Sequence, residues 1–102
     1  MVTQIDRKEL LKISLSDWIT TGVDVRSLRF AAGQETGLHT HPCPVVGYVV
    51  EGEAILQVEG EPEQKLAAGA AFYEPAGAKI LRFDNASTTP RQTVLYNSLP
   101  CI

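Results

Sequence analysis

The sequence predicts an all-β protein, folded as an antiparallel barrel or sandwich. Apolar and polar residues alternate with a period of two across residues 23–30, the pattern of a strand with one covered face. Further short apolar segments follow, and turn residues separate them about every eight to twelve positions. No internal repeat or low-complexity segment interrupts this order. Strands of this spacing favour a closed or two-sheet antiparallel fold.

The first half of the chain contains three segments with strand character. Scattered apolar residues in positions 1–15 fit either an opening strand or a short helical turn. Residues 23–30 form the first well-defined strand. The segment 45–50 is almost wholly apolar, which predicts a strand covered on both faces. After a glycine turn at 51–53, residues 54–58 are predicted to return antiparallel to that strand.

The second half repeats this pattern with shorter segments. Residues 64–66 predict a short edge strand, and residues 70–74 predict another strand, which Pro75 ends. Residues 79–83 and 91–96 are predicted to form the last antiparallel pair, joined by a polar loop.

Composition limits the classes of function. A chain of 102 residues and 11.1 kDa predicts one domain over residues 1–102. The net charge is −3 and the nine basic residues are scattered, so neither nucleic acid nor an acidic membrane surface is expected as a partner. No apolar run approaches the ~18 residues of a membrane span. The N-terminus lacks the charged-then-apolar order of a signal peptide.

The residues with the clearest chemical potential are His39 and His41, the only histidines in the sequence. In an extended segment, two residues separated by one position point to the same face, with Cα atoms about 7 Å apart. Two imidazoles at that spacing can converge on one ion or one ligand. Core imidazoles that bond only to backbone are the alternative interpretation.

The segment around the histidines resembles the first motif of the cupin superfamily. That motif is a glycine, five residues, His-x-His, three or four residues, a glutamate, six residues and a glycine. Gly33, His39, His41 and Gly52 fall on this spacing, whereas Val45 stands at the glutamate position.

A second cupin motif follows at residues 69–85. It is a glycine, five residues, Pro-x-Gly, two residues, a histidine, three residues and an asparagine. Gly69 and the Pro-x-Gly turn match its first half. The histidine position holds Ile80, or Leu81 if Asn85 is the asparagine of the motif.

The resemblance implies a double-stranded β-helix, the jelly-roll or RmlC-like cupin barrel, with core motifs at 33–52 and 69–85. It also implies a divalent metal ion, either Fe, Mn, Ni or Zn, inside the barrel. In the family, two histidines and the glutamate of motif one and the histidine of motif two bind the metal. Only the two motif-one histidines, His39 and His41, are present here.

Glu74 is the best candidate for a third metal ligand. It ends a segment that is otherwise apolar, where a buried carboxylate needs a partner. Two histidines and one carboxylate are the ligand set of non-haem iron centres. The alternative is that Glu74 faces solvent, or accepts a hydrogen bond from the backbone or from an imidazole.

Four further residues are predicted to surround the pocket: Val45, Ile80, Cys43 and Tyr48. Tyr48 offers a phenol group, with packing as the alternative role. Cys43 follows the histidines between two prolines, and a small buried thiol is favoured over a thiolate ligand. Cys43 and Cys101 make only one possible pair, which is no disulfide framework, so a reducing cytoplasmic location is predicted.

Two functions are consistent with these residues. The first is a metal-dependent small-molecule enzyme of the cupin type, an oxygenase or isomerase, although no catalytic residue can be named. The second is a metal-free, non-catalytic module that binds a small molecule. A structural alternative is an assembly role with an empty barrel. Short single-domain cupins often pair through their N-terminal strands and sheet faces, so the resemblance also implies a homodimer.

Overall fold

The computed structural model describes residues 4–99, and Cys101 lies outside this range. Strands account for most of the range from residue 22 onward. They are β1 (Gly22–Phe30), β2 (His39–Thr40), β3 (Val45–Glu51), β4 (Glu53–Val58), β5 (Gln64–Ala67), β6 (Ala71–Glu74), β7 (Lys79–Asn85) and β8 (Arg91–Leu99). The described part of the chain has no helix that could cross a membrane.

The strands form two antiparallel sheets of four strands each. The first has the order β1-β8-β3-β6 and the second has the order β2-β7-β4-β5. Strands that follow each other in sequence therefore repeatedly change sheet, as in a jelly roll. The predicted all-β jelly-roll fold is confirmed.

Two predicted strand pairings are wrong. β3 pairs with β6 and β8, and β4 pairs with β5 and β7, so the turn at residues 51–53 joins two sheets and closes no hairpin. Gly52 has a φ of 84°, which glycine adopts readily. Likewise β7 and β8 do not pair with each other. Turn residues reveal where the chain reverses, but the choice of partner strand depends on contacts distant in sequence.

The predicted burial of β3 on both faces is also wrong. Val45 and Val49 point inward and are fully buried, whereas Tyr48 and Val50 point outward and are exposed. Alternation along the strand explains the difference: an antiparallel sheet needs only one covered face, and apolar residues can occupy the other.

The N-terminal segment is neither the strand nor the helical turn that was predicted. Residues 4–15 have no regular secondary structure, and residues 1–3 lie outside the described range. Residues 8–13 instead border a groove on the outer side of β3, beside Val46 and Tyr48.

Three phenylalanines dominate the core between the sheets. The rings of Phe30 and Phe83 meet edge to face at 6.0 Å, and those of Phe72 and Phe83 lie 4.8 Å apart. Phe72 packs directly over Gly47, where any Cβ would collide with the ring. The buried cluster consists of Phe30, Val49, Ala54, Leu56, Val58, Leu66, Phe72, Ile80 and Phe83.

The side chain of Asn85 connects the end of β7 to neighbouring segments through hydrogen bonds. Its amide nitrogen donates hydrogen bonds to the carbonyl oxygens of Phe30, Ala31 and Thr89, at 3.3, 2.9 and 2.8 Å. Its amide oxygen accepts from the backbone N–H and hydroxyl of Ser87. Asn85 is therefore a structural residue at the end of β7.

Candidate metal centre

His39, His41 and Glu74 come together at the inner surface of the barrel. The Nε2 atom of His41 lies 3.0 Å from Oε1 of Glu74, and Nε2 of His39 lies 3.8 Å from the same oxygen. The two imidazole rings are 5.0 Å apart between centroids, at an interplanar angle of 77°. The extended backbone around β2 places both rings on one side, as the sequence pattern predicts.

The turn at residues 75–77 positions two of these three groups. Pro75 favours an extended backbone at Glu74, the residue before it. Gly77 has a φ of 75°, and its N–H donates to the carbonyl oxygen of His41 at 2.8 Å. The Pro-x-Gly part of the second motif thereby aligns the carboxylate with the second histidine of the first motif.

A backbone contact orients His39. Its Nδ1 lies 3.0 Å from the carbonyl oxygen of Gly37, a distance at which Nδ1–H donates to that oxygen. The proton on Nδ1 leaves Nε2 with a free lone pair. Metal-binding histidines are commonly held by such a hydrogen bond on the second ring nitrogen.

Glu74 stands directly opposite Val45 in the pairing of β3 with β6. Side chains at directly opposed positions share one face of a sheet. The carboxylate absent from position 45 is thus supplied from the neighbouring strand, on the same face. Glu74 is only 3% exposed, so the alternative in which it faces solvent is wrong, while its hydrogen bond to an imidazole is present.

The hydrogen bond with Glu74 raises the pKa of His41 above the ordinary 6.5, and the negative charge of Glu74 acts in the same direction. Burial opposes this shift, because it penalises the charged imidazolium. Without metal, the pair therefore holds a proton between Nε2 and the carboxylate to higher pH than a free histidine would.

The three side chains could hold a metal ion. Their ligand atoms all lie within 4.8 Å of one another. Two atoms that each bind an ion at about 2.1 Å can be separated by at most about 4.2 Å. Small side-chain rotations suffice to close the difference. Two neutral nitrogens and one carboxylate oxygen are suitable ligands for iron, manganese, nickel or zinc.

A cavity of about 210 Å³ lies in front of this group. Its polar lining consists of Thr36, His39, His41 and Glu74, and its apolar lining of Leu28, Phe30, Phe72 and Phe83. Pockets for drug-sized ligands usually measure about 300–1,000 Å³. The cavity therefore suits a smaller molecule with an apolar body.

The four predicted pocket residues do not line this cavity. Val45, Ile80 and Cys43 are fully buried within the protein, and Ile80 lies opposite His39 in the pairing of β2 with β7. Tyr48 points away from the cavity, because it alternates with the inward residues of β3 and lies on the outer face of the sheet.

Cys43 is not the free thiol that the sequence favoured. Its sulfur takes part in a disulfide bond, and no described cysteine is free. A disulfide sulfur has no thiolate to offer a metal ion. Cys43 is therefore excluded as a ligand of this centre in the oxidised protein.

Sequence reasoning missed five residues that line the cavity. Leu28 and Phe30 lie on the inward side of β1, and Phe72 lies two residues before Glu74 on the same face of β6. Strand parity could have assigned these three to the interior. Phe83 and Thr36 depend on how β7 packs against the segment before β2, which no local pattern reveals.

The chain belongs to the cupin family. The family model for the Cupin domain matches residues 26–95, which include both motifs and the three candidate ligands. No curated protein sequence matches the chain significantly.

Several solved structures share this fold. An oxalate oxidase in complex with the substrate analogue glycolate is 25% identical, with a TM-score of 0.69 over 76% of this chain and 42% of that chain. A protein from Thermus thermophilus is 33% identical, with a TM-score of 0.62 over 71% of this chain and 68% of that chain. An RmlC-like cupin from Shewanella frigidimarina is 28% identical, with a TM-score of 0.64 over 74% of this chain and 65% of that chain. The chain thus spans less than half of the length of the oxalate oxidase.

Proposed function

We propose that the protein binds a divalent metal ion through His39, His41 and Glu74 and holds a small molecule in the adjoining cavity. The observation that carries this proposal is the convergence of two imidazoles and one buried carboxylate on one inner face of the barrel. Three protein ligands leave positions open for a ligand molecule, as in catalytic metal sites. Iron, manganese, nickel and zinc all suit this donor set.

The finer proposal is that the centre is catalytic, as an oxygenase or isomerase. A bound metal ion would supply Lewis-acid polarisation of a ligand oxygen or, if redox-active, electrons for oxygen chemistry. The protein contributes the Nδ1–H bond that fixes His39, the carboxylate of Glu74, and the apolar walls of the cavity. The structurally similar oxalate oxidase was solved in complex with glycolate, a small oxygen-bearing molecule.

Metal content tests the proposal directly. Untagged wild-type protein should contain close to one metal ion per chain by elemental analysis, and His41→Ala should lose most of it, because two remaining ligands hold a first-row metal weakly. Glu61→Gln is the matched control, since Glu61 is exposed and distant in sequence from the centre. Metal content that survives the removal of both histidines would exclude this centre.

A second candidate is a metal-free module that binds a small molecule without catalysis. It is favoured by the 3.0 Å contact between His41 and Glu74, which gives each group a hydrogen-bond partner without an ion. The two candidates differ in their response to chelator. A ligand that raises the melting temperature equally with and without chelator supports the metal-free module, and a shift that chelator abolishes supports the metal centre.

We also propose a homodimer. On the outer face of β1, Val23 and Val25 are 61% and 56% exposed. Contiguous exposed apolar side chains commonly mark an interface between protein chains. A second copy of this chain that covers this face would remove them from water.

The cytoplasmic location stays a prediction, and the disulfide at Cys43 argues against it, because disulfides persist mainly in oxidising compartments. Alkylation of unfolded protein purified without reductant tests the point. Modification of Cys43 only after reduction favours an oxidising compartment, and modification without reduction favours the cytoplasm.

A further inference from the structure

Among the residues that the structure describes, Thr36 is the one member of the polar cavity lining that lies outside the candidate metal centre. It belongs to the segment between β1 and β2 and stands at the mouth of the cavity, where it is exposed to solvent on one side. Two hydrogen bonds to β7 fix its position. Its Oγ1 accepts from the backbone N–H of Phe83 at 3.2 Å, and its own N–H donates to Oδ1 of Asp84 at 3.4 Å.

The hydroxyl of Thr36 still has a hydrogen to donate. A hydroxyl has one donor hydrogen and two acceptor lone pairs, and the bond from Phe83 occupies only an acceptor position. Within residues 4–99, the structure shows no acceptor for that hydrogen. A donor held in place at a cavity mouth is suited to bind a ligand oxygen.

The rest of the cavity lining is apolar, and this restricts the class of suitable ligands further. Leu28, Phe30, Phe72 and Phe83 present apolar side chains to the cavity, three of them aromatic. Burial of each additional CH₂ group against such a wall stabilises a complex by about 0.8 kcal/mol, or roughly fourfold in affinity. The wall therefore favours a ligand with a short apolar body.

We propose that Thr36 is a ligand-positioning residue, and that the ligand is a small oxygen-bearing molecule with a short apolar body whose oxygen accepts a hydrogen bond from the Thr36 hydroxyl. This deepens the proposed function and rests on it, since the cavity must be the ligand site. A 2-oxo acid with a branched aliphatic end has the required features: polar oxygens at one end and an apolar group at the other.

The test compares three probes in Zn²⁺-loaded protein by calorimetry. They are 3-methyl-2-oxobutanoate, 3-methylbutanoate, which lacks the oxo group, and pyruvate, which lacks the branched end. In the wild type, 3-methyl-2-oxobutanoate should bind about tenfold more tightly than pyruvate. In the wild type, the ratio of the affinity for 3-methyl-2-oxobutanoate to that for 3-methylbutanoate measures the contribution of the oxo group. Thr36→Val should reduce this ratio by about 2- to 10-fold, whereas Thr36→Ser should preserve it.

Controls separate ligand binding from stability. Thr36→Val also removes the acceptor for the N–H of Phe83, so melting temperatures are measured in parallel, and Thr40→Val serves as a matched control because Thr40 is exposed and does not line the cavity. If the affinity for the oxo acid relative to 3-methylbutanoate is unchanged in Thr36→Val, the proposed role of Thr36 is wrong. Equal binding of pyruvate and the branched acid overturns the apolar-body ligand class.

The same titrations in chelator-treated protein distinguish this inference from the metal centre. If Zn²⁺ does not bind but the affinity for the oxo acid is still higher in the wild type than in Thr36→Val, the metal proposal fails and the role of Thr36 stands. If Zn²⁺ binds through the three ligands and no probe binds in either form, the metal centre stands and the inference about Thr36 fails.

Discussion

In the proposed metal centre, Glu74 supplies the carboxylate that position 45 lacks. The two positions lie directly opposite each other on β3 and β6, so the carboxylate reaches the same inner face from a different strand. Glu74→Gln retains the shape of the side chain but loses its charge, and it should weaken metal binding as measured by competition with a chelator. Equal metal affinity in the two proteins would exclude Glu74 as a ligand.

His41 makes the metal-free protein sensitive to pH. Its folded-state pKa is raised above 6.5, so its contribution to stability is fully present below the unfolded pKa and is lost as pH rises through the folded pKa. From about pH 6 to about pH 9, the melting temperature of chelator-treated wild type should therefore fall more than that of Glu74→Gln. Parallel profiles would contradict the proposed coupling between His41 and Glu74.

The affinity for metal should depend on pH in the opposite direction to the stability of the metal-free protein. The metal requires neutral imidazole, so protons compete with it for His41, and the raised pKa extends that competition to higher pH. Acidification should release metal, whereas alkaline pH should favour retention. As the pH increases across the same range, the measured metal affinity should therefore rise, while the contribution of the protonated His41–Glu74 pair to stability is lost.

At the scale of strands, the contact between β3 and β6 determines the shape of the cavity. Gly47 of β3 lets the Phe72 ring lie against the sheet, and Phe72 lines the cavity. Gly47→Ala should force the ring away and destabilise the protein by about 1–3 kcal/mol in denaturant unfolding. Adding Phe72→Leu should recover part of this loss, and a strictly additive double variant would contradict the proposed contact.

Asn85 has a comparable role at the end of β7. Its side chain satisfies three carbonyl oxygens and two donors of Ser87, so Asn85→Ala should destabilise the protein by about 2–4 kcal/mol. Denaturant unfolding measures this loss. A change below about 0.5 kcal/mol, the range of ordinary surface substitutions, would contradict the structural role.

The strands also show where prediction from sequence succeeds. Residues 23–30 alternate cleanly, and β1 begins and ends within one residue of the prediction. Pairing was not predictable in the same way: only Gly52 separates β3 from β4, yet the two strands belong to different sheets. Alternation and turn residues are local properties, whereas the partner of a strand is selected by burial of the whole inner surface.

The same limit applies to the site. His39 and His41 could be placed together because one extended segment carries both, and Glu74 could be identified because a carboxylate in an apolar segment requires a partner. The apolar cavity wall could not be assembled, because Leu28, Phe72 and Phe83 come from three strands whose arrangement the sequence does not specify.

At the scale of the whole molecule, the proposed dimer predicts a mass twice that of the 11.1 kDa chain in light scattering at micromolar concentration. Val25→Glu should shift the protein towards monomer, because it buries a charge in the proposed interface. Leu81→Glu is the matched control, since Leu81 is exposed on the other sheet. A wild-type monomer would exclude the dimer.

The central claim, that His39, His41 and Glu74 bind one metal ion inside the barrel, is tested most directly by a crystal structure with anomalous data across the iron, manganese, nickel and zinc edges. We expect one anomalous peak bonded to Nε2 of His39, Nε2 of His41 and a carboxylate oxygen of Glu74. Metal-supplemented crystals in which Glu74 stays hydrogen-bonded to His41, with no anomalous peak between the three side chains, would contradict the claim.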